Sequence, residues 1–278
     1  MTSGRKRYWL KIPALVILAC FASALAVYAR GYMTAGFRTK KSRPATIVVL
    51  PPHAEFIKEK VIMTDQMVSE AAALEAEAAR SIKAQLETRG YKVRILAPQA
   101  LDKNPNLRAL VKKLNDRYNE EWSRMVQRPR KVRERRYIVG ADVVRLCSFL
   151  KVDGVAVVRI QAVGVSKGKA TMRWVAGSSA PHSYARMDVG ILEGRQGGVE
   201  GYFFGLENTS LSQMTKKPAV VMGQVAENSL RKYPASTEVE EVSETDAAAV
   251  TDDRDGGDNE DAVKDFEALL GQKQGASR

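Results

Sequence analysis

The chain has 278 residues, enough for one or two domains around a buried core and too many for a disulfide- or metal-stapled mini-scaffold. With 45% hydrophobic and 27% charged residues it is globular in bulk, neither a disordered chain nor a many-spanning membrane protein. The net charge of +12 divides unevenly: residues 1–234 carry 40 basic and 19 acidic side chains, whereas residues 235–278 carry 4 and 13.

Arg5, Lys6, Arg7 and Lys11 precede an uncharged apolar run from Ile12 to Ala29, which Arg30 ends. A basic flank followed by such a run predicts an export signal or membrane anchor over residues 1–29. As a helix the run spans about 27 Å, just enough for a hydrocarbon core. Three processing outcomes fit. The run stays as an anchor, it is cleaved after the small residues of Ala24-Leu25-Ala26, or Cys20 is lipidated within Ile17-Leu18-Ala19-Cys20, which has the form of a lipobox. Phe21 to Tyr28 stay apolar where a lipoprotein tether is polar, which favours the uncleaved anchor. Four basic residues before the run face five soon after it (Arg30, Arg38, Lys40, Lys41 and Arg43), so the positive-inside count is balanced.

Residues 30–44 read as a basic tether, and residues 45–234 as a single α/β domain of mixed sheet in the order βαβααββββα. Thr46 to Leu50 is β-branched and aliphatic and is closed by Pro51-Pro52, which predicts a buried strand. A helix follows from about Asp65 to Arg89, with Leu74, Ala78, Ile82 and Leu86 at intervals of four and Gly90 as its stop. Tyr91 to Leu96 predicts the second strand, joined to the first by a parallel crossover. Leu107, Leu110, Val111, Leu114, Tyr118, Trp122 and Met125 form one stripe on a helix that starts near Asn104-Pro105. A second helix runs from about Tyr137 to Leu150. Val155 to Ile160 predicts the third strand, and Ala170 to Ala176, Tyr184 to Leu192 and Val199 to Phe204 three more, the last two as a hairpin. A helix from Pro218 to Tyr233 closes the domain.

Residues 235–278 are acidic and poor in aromatics, and predict a disordered tail. Within it Val263, Phe266, Leu269 and Leu270 fall on one side of a short helix over residues 261–270, either formed on a partner or incidental to a polar tail.

The sequence offers little chemistry. Cys20 and Cys147 make no disulfide framework, and His53 and His182 stand far apart, so no metal, cofactor or catalytic residue is expected. Cys147 falls on an apolar helix face and reads as a small core residue. Gly164 to Thr171 has the glycines and lysine of a phosphate loop, but the spacing is wrong and a strand, not a helix, is expected to follow; a hairpin turn explains it. Ser178, Ser179, His182 and Ser183 bring hydroxyls near an imidazole without a nucleophile elbow, and read as a polar loop. The strongest polar feature is the basic run Arg124, Arg128, Arg130, Lys131, Arg133, Arg135 and Arg136, which joins two helices. Anionic lipid, an acidic polymer or the protein's own acidic tail are its candidate partners. Nucleic acid is disfavoured, because no stacking aromatic interrupts the run.

The export signal, Thr46 to Pro52, Gly90 to Val93, Val152 to Val158, Met187 to Gly194 and Gly198 to Gly201 together resemble a group of bacterial envelope lipoproteins. These are the CsgG-type lipoproteins of curli secretion and those related to the TolB amino-terminal domain. The resemblance covers about residues 45–234. It differs in the last turn, where Glu193 to Gly198 replaces an Asp-x-x-Thr-Gly pattern and Tyr202-Phe203 stands for a tryptophan. It implies a small mixed-sheet domain used in envelope assembly, secretion or scaffolding, with no catalytic residue to carry over.

The expectation is a non-enzymatic, membrane-tethered protein of the bacterial envelope, facing the periplasm and binding other envelope proteins. The binding elements expected are Arg128, Arg130, Lys131, Arg133, Arg135 and Arg136 in the basic loop, and Phe266, Leu269 and Leu270 in the tail. An enzyme acting on an anionic envelope polymer and a nucleic-acid-binding protein are the alternatives.

Overall fold

In the computed structural model, residues 29–61, 63–166, 168–169, 171 and 183–238 are described. The apolar run before Ala29, Cys20, His182, Phe266, Leu269, Leu270 and the tail helix expected over residues 261–270 lie outside them. Strand β1 (Ala29–Met33) begins at the first described residue and is followed by the short helix α1 (Ala35–Arg38). Then come β2 (Thr46–Val49), β3 (His53–Glu59), β4 (Thr64–Gln66), α2 (Val68–Thr88) and β5 (Lys92–Ile95). Helices α3 (Pro98–Lys103), α4 (Pro105–Gln127) and α5 (Ala141–Leu150) follow, with a 3-10 turn over Pro129–Val132 between the last two. Strands β6 (Gly154–Val165), β7 (Tyr184–Glu193) and β8 (Val199–Asn208) and helices α6 (Leu211–Lys216) and α7 (Pro218–Leu230) complete the fold.

All eight strands form one mixed sheet in the order β1-β8-β7-β6-β2-β5, with β3 beside the second half of β6 and β4 outside β3. The twelve residues of β6 make it the spine. Its first half pairs in parallel with β2 and its second half in parallel with β3. One face of the sheet buries Ile47, Val49, Phe56, Val158, Ile160, Met187 and Phe203 under α2 and α7. The other buries Val48, Leu50, Val155, Val157, Leu192 and Tyr202 under α4 and α5. The predicted stripe of α4 is the buried one, with Leu107, Val111, Leu114, Tyr118 and Met125 inside and Leu110 and Trp122 half-buried. Its start is fixed by Asn104, whose Oδ1 accepts from the Leu107 amide at 3.0 Å, and by Pro105 in the first helical position.

Several boundaries differ from expectation, and the element order βαβααββββα is corrected accordingly. Pro51-Pro52 does not end the strand region. The diproline breaks the pairing with β6, and the chain then resumes along the same edge as β3, burying Ala54 and Phe56 by alternation. Thr64 to Gln66 pair with β3, so α2 starts at Val68 rather than Asp65. Residues 30–44 are not a tether. β1 pairs antiparallel with β8 along the sheet edge, and α1 is capped by the Thr34 hydroxyl and buries Phe37. Helix α5 starts four residues later than expected because Val139 and Gly140 donate to the Gly197 carbonyl instead. β6 runs on to Val165 and pairs directly with β7, so Gly164, expected in a hairpin turn, lies within a strand. Of the strand expected over residues 170–176 only Thr171 is described, and it is helical.

Among the described residues no helix is long and apolar enough to cross a membrane. The sheet has two ends with distinct surfaces. At the Gly154 end lie the starts of β2, β6 and β8 and the finish of β7. At the Val165 end lie the finishes of β3, β6 and β8 and the start of β7.

Candidate functional site

A cleft of about 530 Å³ opens at the Gly154 end, lined by residues 41–45, by Cys147, Ser148 and Lys151 to Asp153, and by Glu193 to Arg195. Three separate parts of the chain deliver its charge. Lys41 follows the short helix α1, Lys151 caps α5 in the left-handed conformation (φ 53°), and Arg195 sits in the β7–β8 turn. All three are exposed, and no ion pair holds any of them among the described residues. Arg43, the fourth cation, is committed to the fold. Its guanidinium donates to the carbonyls of Phe37, Arg38, Ala235 and Glu238 at 2.6–3.0 Å, tying the last described residues to the first turn of the domain.

The two acids of the cleft are also occupied. Asp153 accepts from the Thr46 amide and hydroxyl, both at 2.8 Å, and the buried Glu193 accepts from the Gln196 amide at 2.8 Å. The turn that presents Arg195 depends on Gly197, at φ +73°, where an added Cβ would lie 2.1 Å from the Gly140 carbonyl oxygen. The departure from the family turn pattern at Glu193 to Gly198 is therefore a packed structure of its own.

The predicted basic loop lies at the same end. Glu200, 2% exposed, joins the two: it accepts from the hydroxyls of Thr34 and of Ser42 in the cleft, and it pairs with Arg135 of the loop at 3.1 Å. The loop is better ordered than an exposed connection. Its 3-10 turn buries Pro129 and Val132, and the Tyr137 hydroxyl donates to the Arg128 carbonyl at 2.8 Å. Arg128, Arg130, Arg133 and Arg136 are exposed and Lys131 is half-buried. Arg136 pairs with Glu134 at 2.5 Å, while Arg135 acts chiefly as the counter-ion of Glu200. The arrangement offers oxygen-rich anions a band of cations on a rigid edge.

The other candidates do not join it. His53 is exposed at the start of β3, with Nδ1 4.0 Å from Glu75. Ser178, Ser179 and His182 lie outside the described residues, and Ser183 is buried with its hydroxyl accepting from the Val165 amide at 2.9 Å. Gly164 is packed under Leu211 at the end of β6 and leaves no cradle for a phosphate. Among the described residues no group of His, Cys, Asp and Glu could hold a metal ion.

Cys147 faces the cleft floor but is buried, as its helix face predicts. Burial pushes its thiol up to about 12, and Asp153 and Glu193 add to the rise. The neutral thiol is a poor nucleophile, so iodoacetamide at pH 8 is expected to leave Cys147 unmodified in the folded protein and to alkylate it in urea. Tyr91 is likewise raised to about 12 by burial. Both groups bind their protons more tightly when folded than when unfolded. Their contribution to stability is complete below the unfolded values and is lost as pH rises through the folded ones. The urea midpoint is therefore expected to fall between about pH 9 and pH 12; a flat profile there contradicts it.

Comparison with protein-family profiles gives no match, and comparison with curated proteins gives none either. Among solved structures the chain is similar to PelC of Paraburkholderia phytofirmans, solved as a dodecamer, at 9% identity over 73% of this chain and 96% of that one, with a TM-score of 0.33. It is also similar to lipoprotein GNA1162 of Neisseria meningitidis, at 12% identity over 68% of this chain and 99% of that one, with a TM-score of 0.31. Likeness this distant assigns no role to any residue here.

Proposed function

We propose that this is a membrane-tethered protein of the bacterial envelope that acts without catalysis, binding an acidic envelope partner at the Gly154 end of its sheet in an assembly, secretion or scaffolding role. The observation that carries the reading is the convergence of Lys41, Lys151 and Arg195 with the Arg128 to Arg136 loop on one edge. The charge-flanked apolar run up to Ala29 supplies the membrane half of the reading. The acids in the cleft are already engaged by backbone and hydroxyl donors, which leaves Lys41, Lys151 and Arg195 as the cleft groups available to a ligand. Steering of an acidic partner by such a band is fast and salt-sensitive.

Affinity capture from detergent-solubilised membranes tests this. The full chain is expected to sediment with membranes and to retain envelope proteins. A variant with Lys41→Glu, Lys151→Glu and Arg195→Glu is expected to lose them while keeping its melting temperature, because all three side chains are exposed. Recovery of the native protein in the cytosol, or capture indifferent to the three reversals, overturns the reading.

A further inference from the structure

Six large apolar side chains are exposed among the described residues, and four of them belong to elements at or leading from the Val165 end. Val61 and Met63 lie in the β3–β4 turn at 49% and 59% exposure, Val68 opens α2 at 73%, and Val220 lies in the first turn of α7 at 55%. The remaining two, Ile138 and Phe149, belong to the opposite end: Ile138 bridges to Gly198 and Phe149 lies in α5 just before β6. The grouping follows from the pairing. Glu59, just before the turn, is beside Val165; Val163 is beside Tyr184, and Tyr184 beside Asn208 at the finish of β8. Helices α2 and α7 are tied at their far ends, where Arg89 donates to the Leu230 carbonyl at 3.0 Å, so their first turns point back toward this end.

The charges here are mixed. Lys60 pairs with Asp65 at 2.5 Å and Lys169 with Glu59 at 2.9 Å. Lys58, Lys216 and Lys217 have no ion pair among the described residues, against Glu70, whose carboxyl is held below the ordinary range by the Ser69 hydroxyl. An apolar tip ringed by lysines suits a bilayer surface, where side chains reach the acyl boundary and ammonium groups meet phosphates.

The course of the chain identifies the occupant. β1 runs antiparallel to β8 from Ala29, opposite Gly205, to Met33, opposite Gly201, so its first residue is the one nearer the Val165 end. In sequence the apolar run ends at Ala29, the first residue of that strand. The five residues of β1 then carry Arg38, Lys40, Lys41 and Arg43 away from that junction by about 17 Å.

We infer that the Val165 end rests on an anionic phospholipid surface, with Val61, Met63, Val68 and Val220 in the acyl boundary and Lys58, Lys216 and Lys217 at the headgroups. This rests on residues 12–29 being a bilayer segment. It turns the basic cleft and loop away from the membrane, toward partners.

The test reconstitutes the full chain in vesicles of phosphatidylethanolamine and phosphatidylglycerol that carry a diazirine on the acyl chain, then maps adducts by mass spectrometry. Adducts are expected on peptides covering residues 60–68 and 218–222, and not on those with Ile138 or Phe149. A Val68→Glu and Val220→Glu variant of unchanged melting temperature is expected to lose adducts there about tenfold. Adducts confined to residues 12–29 overturn this inference and leave the anchor standing. A chain that does not float with the vesicles overturns both. An amine-reactive crosslinker applied to the same vesicles that joins Lys60 of two copies, where lipid adducts on residues 60–68 are missing, makes the tip a self-association surface and also overturns it.

Discussion

Replacing Asp188 with alanine is expected to cost about 3–5 kcal/mol of folding stability, the range for stripping one partner from a buried ion pair. Asp188 is fully buried at the middle of β7 and receives Arg186 from two residues away on the same face, Nη2 at 2.7 Å and Nε at 3.0 Å. The Tyr202 hydroxyl donates to the same carboxylate, and the guanidinium lies over the Phe204 ring at 4.9 Å. Burial works to lower the Arg186 pKa, yet the neighbouring carboxylate outweighs it and holds the guanidinium above its ordinary value. Alanine removes the buried carboxylate to which both the guanidinium and the Tyr202 hydroxyl donate, and Tyr202, fully buried, cannot replace that acceptor with water. Urea denaturation reads the loss directly. Replacing both members, Arg186→Met with Asp188→Leu, is expected to recover most of it, since a buried pair can often be exchanged for apolar residues of similar volume at little cost. A loss below about 1 kcal/mol in the single variant would mean the pair is as screened as a surface one.

How much of this was legible in the chain depends on whether the signal was local. The stripe of α4 and the buried run of β2 are periodic within one element, and both were readable in position and in face. β1 was not. Ala29 to Met33 is short and follows directly on an apolar run, so only pairing with β8 makes it a strand. β3 was hidden because prolines ordinarily close a strand, whereas here they shift the chain along the same edge of β6. Arg135 looked like its neighbours in a basic run. Its partner, Glu200, lies 65 residues on in sequence, at the start of another strand. For the same reason Lys41, Lys151 and Arg195 could not be grouped: three turns from distant parts of the chain meet only because β2, β6 and β7 are neighbours.

The separation of the two ends has a further consequence for how the protein would act. Glu200 fastens α1 and Ser42 to the basic loop, and Arg43 fastens residues 235–238 to α1. The first and last described segments are thus fastened to the domain by buried or half-buried polar contacts. A load applied at Ala29 is borne by five residues of paired edge strand before it reaches the cleft. On the proposed function, that geometry suits a rigid adaptor better than a module on a flexible stalk.

Gly190→Ala is expected to cost about 3 kcal/mol, at the upper end of the usual overpacking range. An ideal Cβ at Gly190 would lie 2.1 Å from the Tyr118 oxygen and 2.6 Å from its Cε2 and Cζ. Neither side can give way. Gly190 is paired on both flanks, to Val157 and to Tyr202, and Tyr118 is fully buried on the α4 stripe. A glycine inside a strand marks such a close approach, and here it lets α4 seat against the sheet. The cure separates the causes. Tyr118→Phe alone is expected to be neutral or slightly stabilising, because that buried hydroxyl has no hydrogen-bond partner among the described residues. It removes the 2.1 Å contact from Gly190→Ala but leaves the ring carbons, so the double variant recovers only part of the loss. Tyr118→Leu with Gly190→Ala removes the ring as well and is expected to recover more than the two single losses predict by addition. If Gly190→Ala shifts stability by less than about 0.5 kcal/mol, α4 does not sit on β7 as described.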